Sequence, residues 1–157
     1  MDQSYKTTFT YLKDLPSKLN QEIGLSQWYT ITQEQINTFA DITMDQQWIH
    51  TDPEKCKLAS PYGTPIAHGF LVLSLASKFA YDCYTIEDIA MGINYGLDRV
   101  RFPNATPVNA QLRGRLILME YKEIPQGAQF KVQITFELKG QEKPACVAEF
   151  IARAYTR

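Results

Sequence analysis

Asp45 and His50 lie five positions apart in the run Thr43-Met44-Asp45-Gln46-Gln47-Trp48-Ile49-His50. A carboxylate and an imidazole are the side chains most used to move protons near neutral pH. If the residues between them bend out of a helix, both can reach one water, one group removing a proton and the other returning it. The chain contains only two histidines, His50 and His68, so the choice of base is narrow. The residues alone leave open that Asp45 caps a turn and that His50 is a buried, hydrogen-bonded ring.

A second block follows closely. Pro65-Ile66-Ala67-His68-Gly69 runs straight into Phe70-Leu71-Val72-Leu73-Ser74-Leu75-Ala76-Ser77. That run is too apolar on all sides for a surface helix and predicts a buried central helix over about residues 68–84. A helix beginning at Gly69 would aim unbonded N–H groups and the positive end of its dipole outward, which suits a developing oxyanion. Close packing is the competing reason for a glycine there. Ser77, eight positions after Gly69, falls on nearly the same helix face, either facing the site or bonding back to its own helix.

Other elements must position these residues. Leu25 to Ile31 has strand-type residues, and Thr32 with Gln35 reads as a capping box opening a helix through Asp41, with Ile36, Phe39 and Ala40 on one face. After the apolar helix the pattern changes to strands over 93–102, 111–121, 130–138 and 145–155, separated by Pro103-Asn104, Pro125-Gln126-Gly127 and Gly140-Gln141. A helix with one strand before it and four after it requires an α+β fold in which an antiparallel sheet curls around the helix. The first 24 residues read as an N-terminal extension and residues 25–157 as one domain.

The run Thr43 to His50 resembles the hydratase 2 motif of the MaoC-like dehydratases and R-specific enoyl-CoA hydratases, roughly [ST]-G-D-x-N-P-[LIV]-H. Asp45, Ile49 and His50 match at their spacing, whereas Met44, Gln47 and Trp48 replace the glycine, asparagine and proline. With Ala67-His68-Gly69-Phe70 and Asn94-Tyr95-Gly96-Leu97-Asp98-Arg99-Val100-Arg101-Phe102, the chain looks like the NodN-like branch of that family from about Leu25 onward. The resemblance implies a single hot-dog domain of about five strands around a central helix. It also implies a hydro-lyase that adds water reversibly to a trans-2-enoyl thioester and gives the R-3-hydroxyacyl-CoA.

In that reading Asp45 and His50 share the acid and base roles in an order the sequence leaves open, and the Gly69 N–H polarises the thioester carbonyl. Ser77 supports the loop or the aspartate, and His68 shapes the start of the helix. The larger ring of Trp48 narrows the approach of substrate, and Arg99 or Arg101 meets CoA phosphates. Strand alternation puts Leu97, Arg99 and Arg101 on one face and Asp98, Val100 and Phe102 on the other. The acyl group would arrive on CoA or on acyl-carrier protein, and no metal, flavin or nicotinamide is needed. The open sheet edge predicts a homodimer with an acyl tunnel along its interface. Two rivals remain, a hot-dog thioesterase and a non-catalytic acyl-binding protein. The absence of Asp and Glu between Gly69 and Phe79 weighs against the thioesterase.

Composition agrees with an ordinary globular domain. The 157 residues carry 16 basic and 17 acidic groups, a net charge of -1, which gives no electrostatic case for nucleic acid or an anionic membrane as partner. The N-terminal segment lacks the apolar region of a secretory signal, and Ile66 to Ala80 is too short and interrupted to cross a bilayer, so the cytoplasm is expected. Cys56, Cys83 and Cys146 have neither an even count nor C-x-x-C spacing, which argues against disulfides and against a zinc site.

Overall fold

Two periodicities divide the chain. Period-two alternation of buried and half-buried residues runs through the C-terminal third, while the middle carries short helical segments. The computed structural model describes residues 3–157. They form β1 (Tyr5–Phe9), a 3₁₀ turn (Leu12–Lys18), β2 (Glu22–Leu25), β3 (Tyr29–Thr30), α1 (Gln33–Thr43), α2 (Trp48–Thr51), α3 (Pro53–Ala59), α4 (Gly69–Ser74), α5 (Ala76–Cys83), β4 (Tyr84–Ile86), β5 (Ile89–Arg101), β6 (Gln111–Ile124), β7 (Gly127–Leu138) and β8 (Cys146–Thr156).

The strands make one curled sheet in the order β4-β1-β2-β6-β7-β8-β5, with β3 beside β6. Neighbours are antiparallel except β1 and β4, which run parallel. This is the expected α+β half-barrel around a central helix, with eight strands instead of about five. The additional strands come largely from the first 25 residues: β1 and β2 join the sheet, and Phe9, Leu12, Leu15 and Ile23 enter the core. The boundary expected after residue 24 therefore falls inside β2. Among the described residues no helix is long and apolar enough to cross a membrane.

The capping box forms as read. The Gln35 amide donates to Thr32 Oγ1 at 3.3 Å and the Thr32 amide to Gln35 Oε1 at 2.9 Å, and α1 then runs two residues beyond the expected Asp41. The central helix differs from expectation because it is interrupted at Leu75. There the Leu75 amide turns tightly to the Val72 carbonyl at 3.1 Å, while Ser74 Oγ draws on the Phe70 carbonyl at 2.6 Å. Nor is this helix buried all round. Val72, Ala76, Phe79 and Cys83 face the core, while Phe70 is 71% and Tyr81 77% exposed.

Phe79 fixes how closely α5 approaches the sheet. Its ring meets Phe136 edge-on at 5.6 Å, and a Cβ built on Gly114 of β6 would lie 2.6 Å from its own Cβ. Gly114 is thus required by close approach rather than by backbone conformation. Gly114→Ala should force helix and sheet apart and lower stability by about 1–3 kcal/mol, the usual cost of overpacking. Urea unfolding would measure this, and adding Phe79→Leu should not recover the loss, because leucine keeps the Cβ and Cγ that the new methyl meets.

Candidate active site

The site is built by a break in helix. Met44 caps α1 in the left-handed region, with φ 58°, and turns Asp45, Gln46 and Gln47 out of helical conformation. α2 restarts at Trp48 and carries His50 on its single turn, whose amide bonds the Gln47 carbonyl at 3.0 Å. The segment before α4 returns alongside: the Ile66 amide donates to the Ile49 carbonyl at 3.0 Å and the Ala67 amide to the Thr106 carbonyl at 2.8 Å. One atom each from the Asp45 carboxylate, the His50 ring and the His68 ring lie within 4.8 Å of one another. The bend expected between Asp45 and His50 is therefore present, and it brings the two side chains together.

Hydrogen bonding fixes the proton positions. His50 Nδ1 lies 2.7 Å from the Ile66 carbonyl oxygen. A carbonyl only accepts, so Nδ1 carries the hydrogen and Nε2 presents its lone pair. His68 has the opposite tautomer, because its Nε2 donates to the Asp45 backbone carbonyl at 3.0 Å. The two rings stack at 3.8 Å between centroids with planes 25° apart, and Phe39 of α1 lies 5.1 Å from the His68 ring. His68 stands at the helix start as expected, as the N-cap residue of α4 whose carbonyl accepts from the Val72 amide, but its side chain makes no cap bond and turns to Asp45 instead. Nothing in sequence spacing indicates this second contact, because it depends on the return of the chain at Ile66.

Both imidazoles are inside, with His50 7% and His68 3% exposed, whereas Asp45 is exposed and its Oδ1 accepts from the Gln47 amide at 3.4 Å. Burial lowers the His50 pKa from the ordinary histidine value and the neighbouring His68 lowers it further, against the opposing pull of the Ile66 carbonyl and Asp45. The His68 Nδ1 is buried with no hydrogen-bond partner among the described residues. Such an orphan costs about 1–3 kcal/mol.

Gly69 is the first residue of α4, and the first intrahelical bond runs from the Val72 amide to the His68 carbonyl at 3.1 Å. The amides of residues 69–71 therefore precede the helical ladder. A Cβ on Gly69 would lie 3.3 Å from the Phe102 ring, so close packing is also satisfied there. The other expected site residues are outside this cluster. Ser77 Oγ accepts from Asn94 Nδ2 at 3.5 Å and lines a cavity of about 240 Å³. Trp48 is half-buried, with Lys55 Nζ 4.8 Å from its ring centroid. Arg99 and Arg101 are exposed on β5, and Arg101 Nη1 donates to the Val100 carbonyl at 2.7 Å. Register shifts in the β5–β8 pairing, one between Leu97 and Val100, break the simple alternation expected for that strand. Cys56, Cys83 and Cys146 are buried free thiols, and burial raises the pKa of each, to about 12 for Cys83 and Cys146.

Residues 14–139 match the family described as MaoC like domain. The chain belongs to this family. It is 45% identical over 147 residues to 3-hydroxyacyl-thioester dehydratase Z of Mycobacterium tuberculosis, covering 93% of this chain and 97% of the relative. It is 42% identical over 144 residues to Nodulation protein N of Rhizobium leguminosarum bv. viciae, covering 89% and 88%. The R-hydratase PhaJ1 from Pseudomonas aeruginosa superposes with a TM-score of 0.72 at 17% identity, over 95% of this chain and 88% of that one. This MaoC-like chain is thus a hot-dog protein and an enzyme of the hydratase and dehydratase kind.

The lowered His50 pKa has a definite sign in this MaoC-like fold. An unfolded histidine takes up its proton near about pH 6.5, whereas folded His50 resists protonation to lower pH. Below that value the unfolded state binds more protons, so stability falls as pH drops toward the folded pKa. Imidazole NMR titration should give a His50 midpoint below the ordinary value. A midpoint at or above it would contradict this environment.

Proposed function

We propose that this chain adds water reversibly across the C2–C3 double bond of a trans-2-enoyl thioester, giving the R-3-hydroxyacyl thioester. One observation carries the reading: an imidazole whose Nδ1–H is committed to the Ile66 carbonyl keeps a free Nε2 lone pair, and its ring lies in one cluster with the Asp45 carboxylate and the His68 ring. His50 Nε2 takes a proton from water as the water oxygen bonds C3 and the π electrons move toward C2 and the carbonyl. The imidazolium, stabilised by Asp45, then returns a proton to C2 on the same face. Overall one O–H bond of water breaks while C3–O and C2–H bonds form. The Gly69 N–H supports the charge that develops on the thioester oxygen.

The acyl tail needs an apolar channel, and the cavity bounded by Ser77, Ala80, Tyr84, Ile89, Ile93 and Phe150 suits one. It opens beside the first half of β5, whereas Gly69 packs against Phe102 just beyond the other end of that strand. Antiparallel pairing of β5 with its twofold mate would set the cavity of one protomer beside the dyad of the other. The same pairing would cover Phe70, Tyr81 and Tyr95, each more than half exposed in the single chain. We therefore infer a homodimer whose two sites each draw on both chains. Trp48 borders the approach of substrate, and Arg99 and Arg101 are candidates for the phosphates of the thioester carrier.

Purified protein assayed with crotonyl-CoA and longer enoyl-CoAs should catalyse hydration. Asp45→Asn and His50→Ala should each lower the rate about a hundredfold or more. Gly69→Pro tests the amide directly, because proline is tolerated at the first helical position and His68 ψ, at 138°, already suits a following proline. It should cost about 10²–10³ in rate, well beyond Gly69→Ala, which disturbs only Phe102. Turnover near normal in Asp45→Asn and His50→Ala would sink the dyad. Tight acyl-CoA binding without turnover in the wild type would point to a non-catalytic carrier instead.

Assembly can be tested separately. Sedimentation at micromolar concentration should give twice the 18.0 kDa chain mass, and a charged residue at Ile93 should split the dimer. A wild-type protein found solely as a single chain would contradict the shared site.

A further inference from the structure

We propose that His68 is a positioning residue that holds both members of the dyad, its Nε2–H tethering the main chain of Asp45 and its ring face backing the imidazole of His50. The proposal rests on the hydratase reading above. Three observations carry it. The Nε2 to Asp45 carbonyl bond, at 3.0 Å, crosses 23 residues of sequence and fixes the bend that Met44 begins. The stacked ring at 3.8 Å leaves His50 only in-plane directions for its hydrogen bonds, so Nε2 stays aligned once Ile66 holds Nδ1.

The third observation separates a functional role from a merely structural one. His68 is buried yet leaves Nδ1 unpartnered, and it does not cap α4. A phenyl ring of similar size would fill the same space without stranding a polar atom, so packing alone does not call for a histidine here. What histidine supplies, and a phenyl ring cannot, is a flat stacking face together with an N–H aimed at the Asp45 carbonyl. Phe39 lies against His68 from α1, the helix whose cap sets the Asp45 bend, so the stack is braced from the same element that presents the carboxylate.

Two variants divide the functions of the ring. His68→Phe keeps the stacking face and loses the donor, while His68→Gln keeps a donor and loses the stack. Each should lower kcat roughly tenfold to a hundredfold, the scale of a small misplacement of reacting groups, with a much smaller change in KM. His68→Phe should keep or raise Tm. The ionisable groups that act on His50 are His68 and Asp45, while the buried Cys56 thiol of α3 is turned to the Trp48 and Ile49 carbonyls at 3.5 Å. Of these, removing His68 takes away a charge repulsion, so the acid limb of kcat/KM should move to higher pH in His68→Phe.

Imidazole nitrogen NMR of the wild type near neutral pH should find Nε2–H on His68 and Nδ1–H on His50. An Nδ1–H form of His68, unchanged kcat and pH profile in His68→Phe, or activity lost only in step with Tm would each overturn the proposal. Absence of hydration in the wild type would instead remove the reading it rests on, and the NMR result would still decide the tether.

Discussion

The hydrogen bond from His50 Nδ1 to the Ile66 carbonyl is the contact on which the site depends. At 2.7 Å between buried partners it selects one tautomer, leaves Nε2 as a base and sets the ring plane on which His68 stacks. It forms because the chain is pinned immediately beside it, where the Ile66 amide bonds the Ile49 carbonyl and the Ala67 amide bonds the Thr106 carbonyl. These short bonds tie α2, the approach to α4 and the loop after β5 into one unit. The Ile66 acceptor is thus held by the main chain on both sides, and His50 could turn only by giving up this bond and its stack with His68.

Burial favours the uncharged ring, while that bond selects its tautomer and pulls its pKa the other way. An imidazole in water would be charged for part of the physiological pH range and ineffective as a base. Removal from water and the neighbouring second imidazole both favour the neutral form, while the Asp45 carboxylate limits the shift. Asp45 itself remains exposed, which suits a group that must meet water. In the proposed reaction the same local geometry would supply an uncharged base beside a carboxylate open to solvent.

Much of this was legible in the sequence, for physical reasons. The capping box was readable because Thr32 and Gln35 satisfy local backbone groups, and β7 because its alternation sets one face into the core. The Asp45–His50 pairing was readable because only a short bend separates them. What could not be read depends on contacts distant in sequence. β1 pairs with both β2 and β4, and the His68 tether requires Ile66 to return to Ile49. The break at Leu75 was hidden because apolar composition signals burial and helicity but not a local tightening of the turn.

The same break bears on how one helical segment meets two demands. α5 must lie close to the sheet, close enough that Gly114 has no room for a side chain beneath Phe79. α4 instead leaves its first amides outside the helical ladder and presents Phe70 outward, with Phe102 against Gly69. The core holds both halves, through Val72 on α4 and through Ala76, Phe79 and Cys83 on α5, and the tightened turn at Leu75 lies between these two anchors.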